Sequence, residues 1–261
     1  MKNLKITSIQ TFLYWEDAAA NISHFESRIS SVKEESDLIV LPEMFTTGFT
    51  MNPEKFAEEQ EGPGLQMMKS MAAKMNRVIC GSIAVKDKDK FYNRLYWVRA
   101  DGSFAVYNKR HLFRMAGEEK HYTPGNEKVI VELNGWKINL QVCYDLRFPT
   151  WSRNKWDAEK NFAAAYDVLL YVANWPEVRN FPWKQLLIAR AIENQSFVVG
   201  VNRVGTDGNN FSHSGDSVVL NPRGEQLSKT KAHEDAIETV ELNMAYLEEF
   251  RKIFPVGMDA D

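Results

Sequence analysis

Three residues whose side chains together could cleave an amide each lie at or just past the end of a strand-like apolar run. Cys143 ends one run, Lys109 closes another, and Glu43 follows a third after a short turn. A cysteine supplies the nucleophile, a carboxylate the general base and an ammonium the positive charge that thioester formation at an amide carbon requires. If the three strand ends meet at one edge of a sheet, the sequence predicts a cysteine-dependent hydrolase.

Taken singly, each of these residues has a commoner structural explanation. Cysteine is often a small core hydrophobe, and a lone lysine or glutamate near a turn is usually solvated. The other cysteine, Cys80, has apolar or small sequence neighbours and is predicted to be a core residue. The prediction of chemistry therefore depends on the convergence of all three residues.

The elements that must position them alternate between strand and helix periodicity, with two hairpins in the middle of the chain. The second hairpin turns at Asn134-Gly135. Helices that cover mixed sheets indicate an α/β sandwich. Strands are predicted at 4–9, 37–41, 78–85, 92–98, 103–107, 129–133, 136–142, 168–173, 197–202, 213–220 and 236–241, and helices at 22–32, 65–75, 151–165, 183–194 and 244–252.

The composition bounds the class of protein. The chain has 261 residues, a net charge of −3 and no basic block, which argues against nucleic acid as a partner. Its two cysteines are too few for a disulfide framework. The N-terminus lacks a signal-peptide pattern, and no apolar run approaches the ~20 residues of a membrane span. We therefore expect a cytoplasmic protein without a membrane partner, with one domain over residues 1–261.

Around the three candidate residues the sequence resembles the nitrilase superfamily, the carbon–nitrogen hydrolases, and the resemblance covers essentially the whole chain. It implies an α/β fold of the α-β-β-α sandwich type, with a four-layered core of mixed sheets. It also implies a homodimer, a small-molecule amide substrate, and neither a metal nor an organic cofactor. The matching segments are Leu41-Pro42-Glu43, Asn108-Lys109-Arg110-His111-Leu112 and Val142-Cys143-Tyr144-Asp145-Leu146-Arg147-Phe148-Pro149.

The resemblance further implies a second catalytic glutamate in the loop that follows Lys109. Counting back from the Pro-Gly turn of that loop favours Glu118, but one loop residue more or fewer would select Glu119. In the implied mechanism Glu43 takes the thiol proton, while Lys109 and the backbone N–H of Tyr144 hold the oxyanion.

Finer features resemble the omega-amidase branch, the 2-oxoglutaramate amidases. This likeness implies cleavage of the terminal carboxamide of a small 2-oxo dicarboxylic acid monoamide, such as 2-oxoglutaramate or 2-oxosuccinamate, to the acid and ammonia. The segments that carry it are Phe148-Pro149-Thr150-Trp151-Ser152-Arg153-Asn154, Tyr171-Val172-Ala173-Asn174-Trp175-Pro176 and Ala189-Arg190-Ala191-Ile192-Glu193-Asn194.

Such a substrate needs a cation for its distant carboxylate. Arg114, Lys120 and Arg179 are candidates, whereas Arg147 and Arg153 lie so close to the nucleophile turn that they could instead be structural.

Aromatic side chains could shape a narrow pocket around the substrate. Tyr144 and Trp175 are candidates, as is Phe148, for which core packing is the favoured explanation.

Three alternatives stay open. A metallohydrolase would use His111, His121, Glu118 and Cys143, although their spacing matches no zinc motif. An N-carbamoyl amine hydrolase, a deaminated-glutathione amidase or a nitrilase proper would share the core residues and differ in the pocket wall. A non-catalytic binding protein on the same fold would usually lack one of the three core residues.

Overall fold

The computed structural model describes residues 2–157, 159 and 163–259. The strands are β1 Leu4–Gln10, β2 Leu38–Val40, β3 Glu58–Glu59, β4 Val78–Asp87, β5 Lys90–Val98, β6 Phe104–Asn108, β7 Ile130–Leu133, β8 Trp136–Val142, β9 Trp156–Asp157, β10 Ala163–Ala164, β11 Val168–Ala173, β12 Phe197–Asn202, β13 Val204–Thr206, β14 Ser212–Ser214, β15 Val218–Leu220 and β16 Ala236–Leu242. The helices are α1 Ala18–Ser30, α2 Pro53–Phe56, α3 Pro63–Met75, α4 Glu118–His121, α5 Pro149–Ser152, α6 Asn180–Asn194 and α7 Met244–Ile253.

Two mixed sheets form the centre of the fold. The first has the strand order β16-β1-β2-β4-β5-β6, and β3 adds to β4; the second has the order β15-β12-β11-β8-β7. Pairing is parallel among β1, β2 and β4, between β3 and β4, and among β8, β11 and β12. The remaining pairs of the two sheets are antiparallel. Because parallel strands require covered faces, helices must lie outside both sheets.

The side chains of β2 show how the layers stack. Leu38 and Val40 join a core cluster shared by the two sheets, whereas Ile39 packs in a second cluster with the helix residues Phe25 and Met68. This alternation is the period of two expected for a strand buried on both faces. On the far side of the second sheet, α6 contributes Trp183, Leu187 and Ala191. The predicted four-layered α-β-β-α sandwich with mixed sheets is confirmed.

The carboxyl ends of the central strands meet at one edge of the sandwich. Strand β6 runs in the same direction as β4, since both are antiparallel to β5. Across the gap between the sheets, the backbone N–H of Glu43 donates to the carbonyl oxygen of Ala173 at 3.4 Å. The segments that follow β2, β6, β8 and β11 therefore share this edge, where open α/β sheets place their ligands.

The predicted helix at 151–165 is correct only for Trp151 and Ser152, and α-helix does not continue in the described residues beyond them. The helix α5 ends at Ser152, and β9 and β10 pair as an antiparallel hairpin; residues 158 and 160–162 of the predicted helix lie outside the described residues. The cause is Asn154, whose side chain bonds the backbone of Tyr166 in both directions, at 3.0 and 3.3 Å. Asparagine side chains that bond the backbone in this way compete with helix continuation.

The two predicted hairpins are confirmed as β5–β6 and β7–β8. Asn134 and Gly135 both have positive φ, at 52° and 86°, as the tight turn of this hairpin type requires. Among the described residues, none of the helices combines the length and the apolar character needed to cross a bilayer.

Replacing Leu140→Ala should lower the free energy of unfolding by about 2–5 kcal/mol. Leu140 is fully buried in the cluster between the sheets, so the change leaves a cavity as well as removing apolar contacts. Urea unfolding measures the effect, with the 38% exposed Leu227→Ala as a matched control that should change little. Equal effects for the two variants would contradict the layer arrangement.

Candidate active site

The three residues singled out by their positions at strand ends converge in the structure. Lys109 and Glu43 are fully buried, and the Nζ of Lys109 lies 2.9 Å from Oε1 of Glu43. Cys143, 8% exposed, lines the same cavity as Lys109, and the charges of Glu43 and Lys109 both act on the pKa of its thiol. The shared sheet edge thus brings a nucleophile, a carboxylate and an ammonium into contact.

The second glutamate beside Lys109 is Glu118. Both of its carboxylate oxygens lie 3.0 Å from the lysine Nζ, and Oε2 also accepts the backbone N–H of Phe113 at 2.5 Å. Glu118 opens α4 and is fully buried. Among the described residues, the ion pairs of Lys109 are with Glu43 and Glu118, and none is with Glu119.

Asn93 bridges the two carboxylates of the cluster. Its amide nitrogen donates to Oε1 of Glu43 at 2.7 Å and to Oε1 of Glu118 at 3.4 Å, while its oxygen accepts from the hydroxyl of Ser82. The sequence reasoning missed this residue. An amide side chain inside the strand predicted over 92–98 was the signal that could have identified it, because amides buried in a strand need fixed partners.

Asn174, which follows β11, holds Glu43 from the opposite side. Its backbone N–H donates to Oε2 of Glu43 at 2.7 Å, and its side-chain nitrogen donates to the backbone carbonyl of Glu43. The same backbone N–H acts to lower the pKa of the Cys143 thiol. Both carboxylate oxygens of Glu43 therefore have fixed donors. The segment around Asn174 stood out in the sequence, but this contact with Glu43 was not foreseen.

The backbone of Cys143 adopts an unusual conformation. Its φ is +44°, in the left-handed region that costs a non-glycine residue about 1–3 kcal/mol and that occurs often at functional sites. Cys143 opens the 3₁₀ turn Cys143–Arg147 directly after β8. The turn ends the strand and presents the sulfur to the cavity.

Asp145 anchors this nucleophile turn to the segment that carries Lys109. Its fully buried carboxylate accepts the hydroxyl of Tyr107 at 2.7 Å and the backbone N–H of Val142 at 3.1 Å. It also accepts the backbone N–H of His111 at 2.9 Å and bonds the ring nitrogen Nδ1 of His111 at 2.8 Å. These contacts set the position of the cysteine relative to the lysine.

The electrostatics of the site favour a neutral thiol at rest. Burial raises the pKa of Cys143 well above its ordinary value, and the nearby carboxylate of Glu43 raises it further; Lys109 opposes the shift without reversing it. The free thiol consequently needs a base to become a nucleophile.

Lys109 stays charged despite its burial. Burial lowers the pKa of its ammonium, but the negative charges of Glu118 and Glu43 outweigh that effect and raise the pKa overall. Burial raises the pKa of Glu118, whereas Lys109 acts to lower it. The buried ammonium of Lys109 therefore depends on the two carboxylates beside it to remain charged.

A cavity of about 650 Å³ opens over the cysteine. Of the side chains predicted to shape it, Tyr144 and Trp175 line the cavity. Phe148 instead stacks on the ring of His111, with centroids 3.8 Å apart and planes 8° apart.

The candidate cations separate into two groups. Arg147 and Arg179 line the cavity. Arg114 is exposed and is not a lining residue, although it begins the 3₁₀ turn Arg114–Ala116; Lys120 and Arg153 do not line the cavity either.

The residues proposed as metal ligands are not assembled as such. His111 is bonded to Asp145, and Glu118 to Lys109. Within the described part of the chain, no three histidine, cysteine, aspartate or glutamate side chains are grouped so that they could hold a metal ion.

A match to the carbon–nitrogen hydrolase family extends over residues 5–252. The chain belongs to this family. It is 47% identical over 261 residues to omega-amidase YafV of Escherichia coli (strain K12), and the alignment covers 100% of this chain and 98% of that protein. It is 33% identical to the 2-oxoglutaramate amidase of Bacillus subtilis (strain 168), covering 97% of this chain and 96% of the relative.

Solved structures place the chain in the same family. The protein XC1258 of Xanthomonas campestris, described as a CN-hydrolase superfamily protein with an arsenic adduct in its active site, superimposes with a TM-score of 0.97 at 40% identity, covering 100% and 98% of the two chains. Nit3 of Saccharomyces cerevisiae superimposes with a TM-score of 0.86 at 23% identity, covering 97% of this chain and 95% of Nit3, and so shares the fold. The predicted membership of the nitrilase superfamily is confirmed.

Replacing Glu43→Gln should lower the pKa of the Cys143 thiol. The change removes a negative charge and a carboxylate acceptor that both favour the protonated form, while Lys109 remains to favour the thiolate. Thiolate absorbance in the ultraviolet, followed against pH, measures the shift, and subtraction of the Cys143→Ala titration removes the signal of Cys80. A thiolate at neutral pH in the wild type, or a higher pKa in Glu43→Gln, would contradict this electrostatic description.

Proposed function

We propose that this protein is an omega-amidase that hydrolyses the terminal carboxamide of 2-oxoglutaramate or a similar small 2-oxo dicarboxylic acid monoamide. The observation that carries the chemistry is the buried contact of Lys109 with Glu43 and Glu118 beside the Cys143 thiol. The choice of substrate is supported by the full-length likeness to proteins named as omega-amidase and 2-oxoglutaramate amidase.

In the first half-reaction the Cys143 sulfur attacks the amide carbon as its proton passes to Glu43. The carbonyl oxygen becomes an oxyanion, which Lys109 and the backbone N–H of Tyr144 stabilise; one such donor is worth about 2.7–4 kcal/mol where it has been measured. Glu43 then returns the proton to the amide nitrogen. The C–N bond breaks, ammonia leaves, and the acyl group remains on sulfur as a thioester.

In the second half-reaction a water molecule replaces ammonia. The water oxygen attacks the thioester carbon while Glu43 takes a proton from the water. Lys109 and the backbone N–H of Tyr144 again stabilise the oxyanion. The C–S bond breaks, the carboxylic acid is released, and the proton on Glu43 returns to the sulfur. Glu43 thus serves as base and then acid in both halves, as general acid–base catalysis with one carboxylate requires.

Glu118 has a positioning role in this proposal. Both of its oxygens accept from the Lys109 ammonium, and the backbone N–H of Phe113 holds its carboxylate in place. The carboxylate keeps Lys109 charged and directed towards the oxyanion, and it lies where it can also order the substrate amide. In this proposal the protein acts in the cytoplasm, as the N-terminal sequence and the composition suggest, and it acts as a homodimer, as the family resemblance implies.

The Cys143→Ala variant should lose release of ammonia from 2-oxoglutaramate by at least about 10³-fold, since removal of a nucleophile removes the covalent route. The matched control is Cys80→Ala, which replaces a buried core cysteine and should keep activity near that of the wild type. Activity that survives in Cys143→Ala would refute the thioester route. Folded wild-type protein with no activity on this amide would refute the substrate assignment.

Glu118→Gln should reduce kcat by about 10²–10³-fold, because Lys109 then loses one of the two charges that hold it in place. Glu119→Gln, one residue further along the same helix, is the matched control and should stay within a few-fold of wild type. Steady-state kinetics with the same substrate measure both variants. A larger loss in Glu119→Gln would exchange the roles assigned to the two glutamates.

A further inference from the structure

Two arginines line the cavity that opens over Cys143. Arg147 ends the nucleophile turn, and Arg179 ends the 3₁₀ turn Glu177–Arg179 that precedes α6. Each guanidinium lies over an aromatic ring, Arg147 over Trp175 and Arg179 over Phe113, with 5.2 Å from the guanidinium carbon to the ring centroid in both cases. Stacking occupies the flat face of a guanidinium and leaves the N–H groups at its edge free to bind an anion.

Neither guanidinium has an acidic partner among the residues that the structure describes. Two acids do line the cavity, but both are engaged elsewhere. Glu16 accepts the hydroxyl of Thr50 at 2.5 Å, and Asp207 accepts the backbone N–H groups of the turn that follows it. Among the residues that the structure describes, neither acid forms an ion pair with Arg147 or Arg179.

The two charges act on the same region of the cavity. Burial lowers the pKa of Arg179, the positive charge of Arg147 lowers it further, and Cys143 acts in the opposite direction. Like charges held within reach of each other in a half-buried site are stabilised by an anion placed between them. The third cation of the cavity, Lys109, is already committed to two carboxylates.

Trp175 keeps the pair in place. Its indole N–H donates to the backbone carbonyl of Arg179 at 2.6 Å, and its ring carries the guanidinium of Arg147. Its own backbone N–H donates to Asn202 at the end of β12. One buried aromatic side chain thus links the guanidinium of Arg147 and the backbone of Arg179 to the edge of the second sheet, while the ring of Phe113 supports the guanidinium of Arg179.

We propose that Arg147 and Arg179 together bind the carboxylate and the adjacent 2-oxo oxygen of the substrate, and that they select amides carrying a distant anionic group over uncharged amides. This inference rests on the proposed function. A 2-oxo carboxylate offers three acceptor oxygens close together, which match the planar donors of two guanidinium groups.

The test compares two substrates of equal chain length, 2-oxoglutaramate and the uncharged pentanamide, in Arg147→Gln, Arg179→Gln and the control Arg114→Gln. Loss of a hydrogen-bonded charge should lower kcat/KM for 2-oxoglutaramate by about 10- to 100-fold, mainly through KM. The value for pentanamide should change by less than about threefold, and Arg114→Gln should match the wild type for both. An equal loss for the two substrates, or a loss in Arg114→Gln as large as in the pair, would overturn the proposal.

A second measurement needs no turnover and separates this inference from the proposed function. The product 2-oxoglutarate should slow alkylation of Cys143 by iodoacetamide in the wild type, and at least about 10 times more of it should be needed in either arginine variant. The wild type could release no ammonia from 2-oxoglutaramate while 2-oxoglutarate still protects Cys143 in a way that depends on the arginines. That result would refute the proposed substrate and support the anion site. The anion site would be refuted if 2-oxoglutarate did not protect Cys143 from alkylation, or if it protected Cys143 equally in the wild type and in both arginine variants.

Discussion

The arrangement of the whole site depends on one buried ammonium shared by two buried carboxylates. Without Lys109, Glu43 and Glu118 would be like charges held close together away from water; without the carboxylates, Lys109 would be an isolated buried charge. Either situation costs several kcal/mol. The three side chains come from the ends of β2 and β6 and from the start of α4, so the folded chain must bring these points together before the ammonium can pair with the carboxylates.

The rest of the sandwich fixes the positions of the residues that surround this cluster at one edge of the sheets. Asn93 and Asn174 supply the donors that orient Glu43, one from each sheet. Asp145 ties the turn of Cys143 to the segment that follows Lys109. Polar groups of this kind are tolerated in the interior because they are paired, and their pairing restricts the nucleophile, the base and the cation to a single geometry.

The same cluster determines which charged groups of the cavity are already paired within the protein. Its ammonium is held by two carboxylates, and the thiol is neutral because burial and Glu43 raise its pKa. An anionic substrate must therefore find its counter-charge away from the reacting atoms. Arg147 and Arg179 lie over aromatic rings in the cavity wall, and in our proposal this separates recognition of the distant carboxylate from stabilisation of the oxyanion.

The sequence by itself determined most strands of the two sheets, the turn at Asn134-Gly135, and Glu43, Lys109 and Cys143 as strand-end residues, because apolar periodicity and turn chemistry are local properties. The predicted strand at 213–220 is wrong, since this segment divides into β14 and β15, which pair in different sheets. It did not determine that Asn154 ends the helix at Ser152, that Glu118 rather than Glu119 meets Lys109, or that Asn93 joins two carboxylates. Neighbours on a helix point in directions about 100° apart, so only the packing of α4 decides which glutamate faces the lysine. Partners such as Glu43 and Asn174 are 131 residues apart in the chain, and their contact exists only because two sheets end at the same edge.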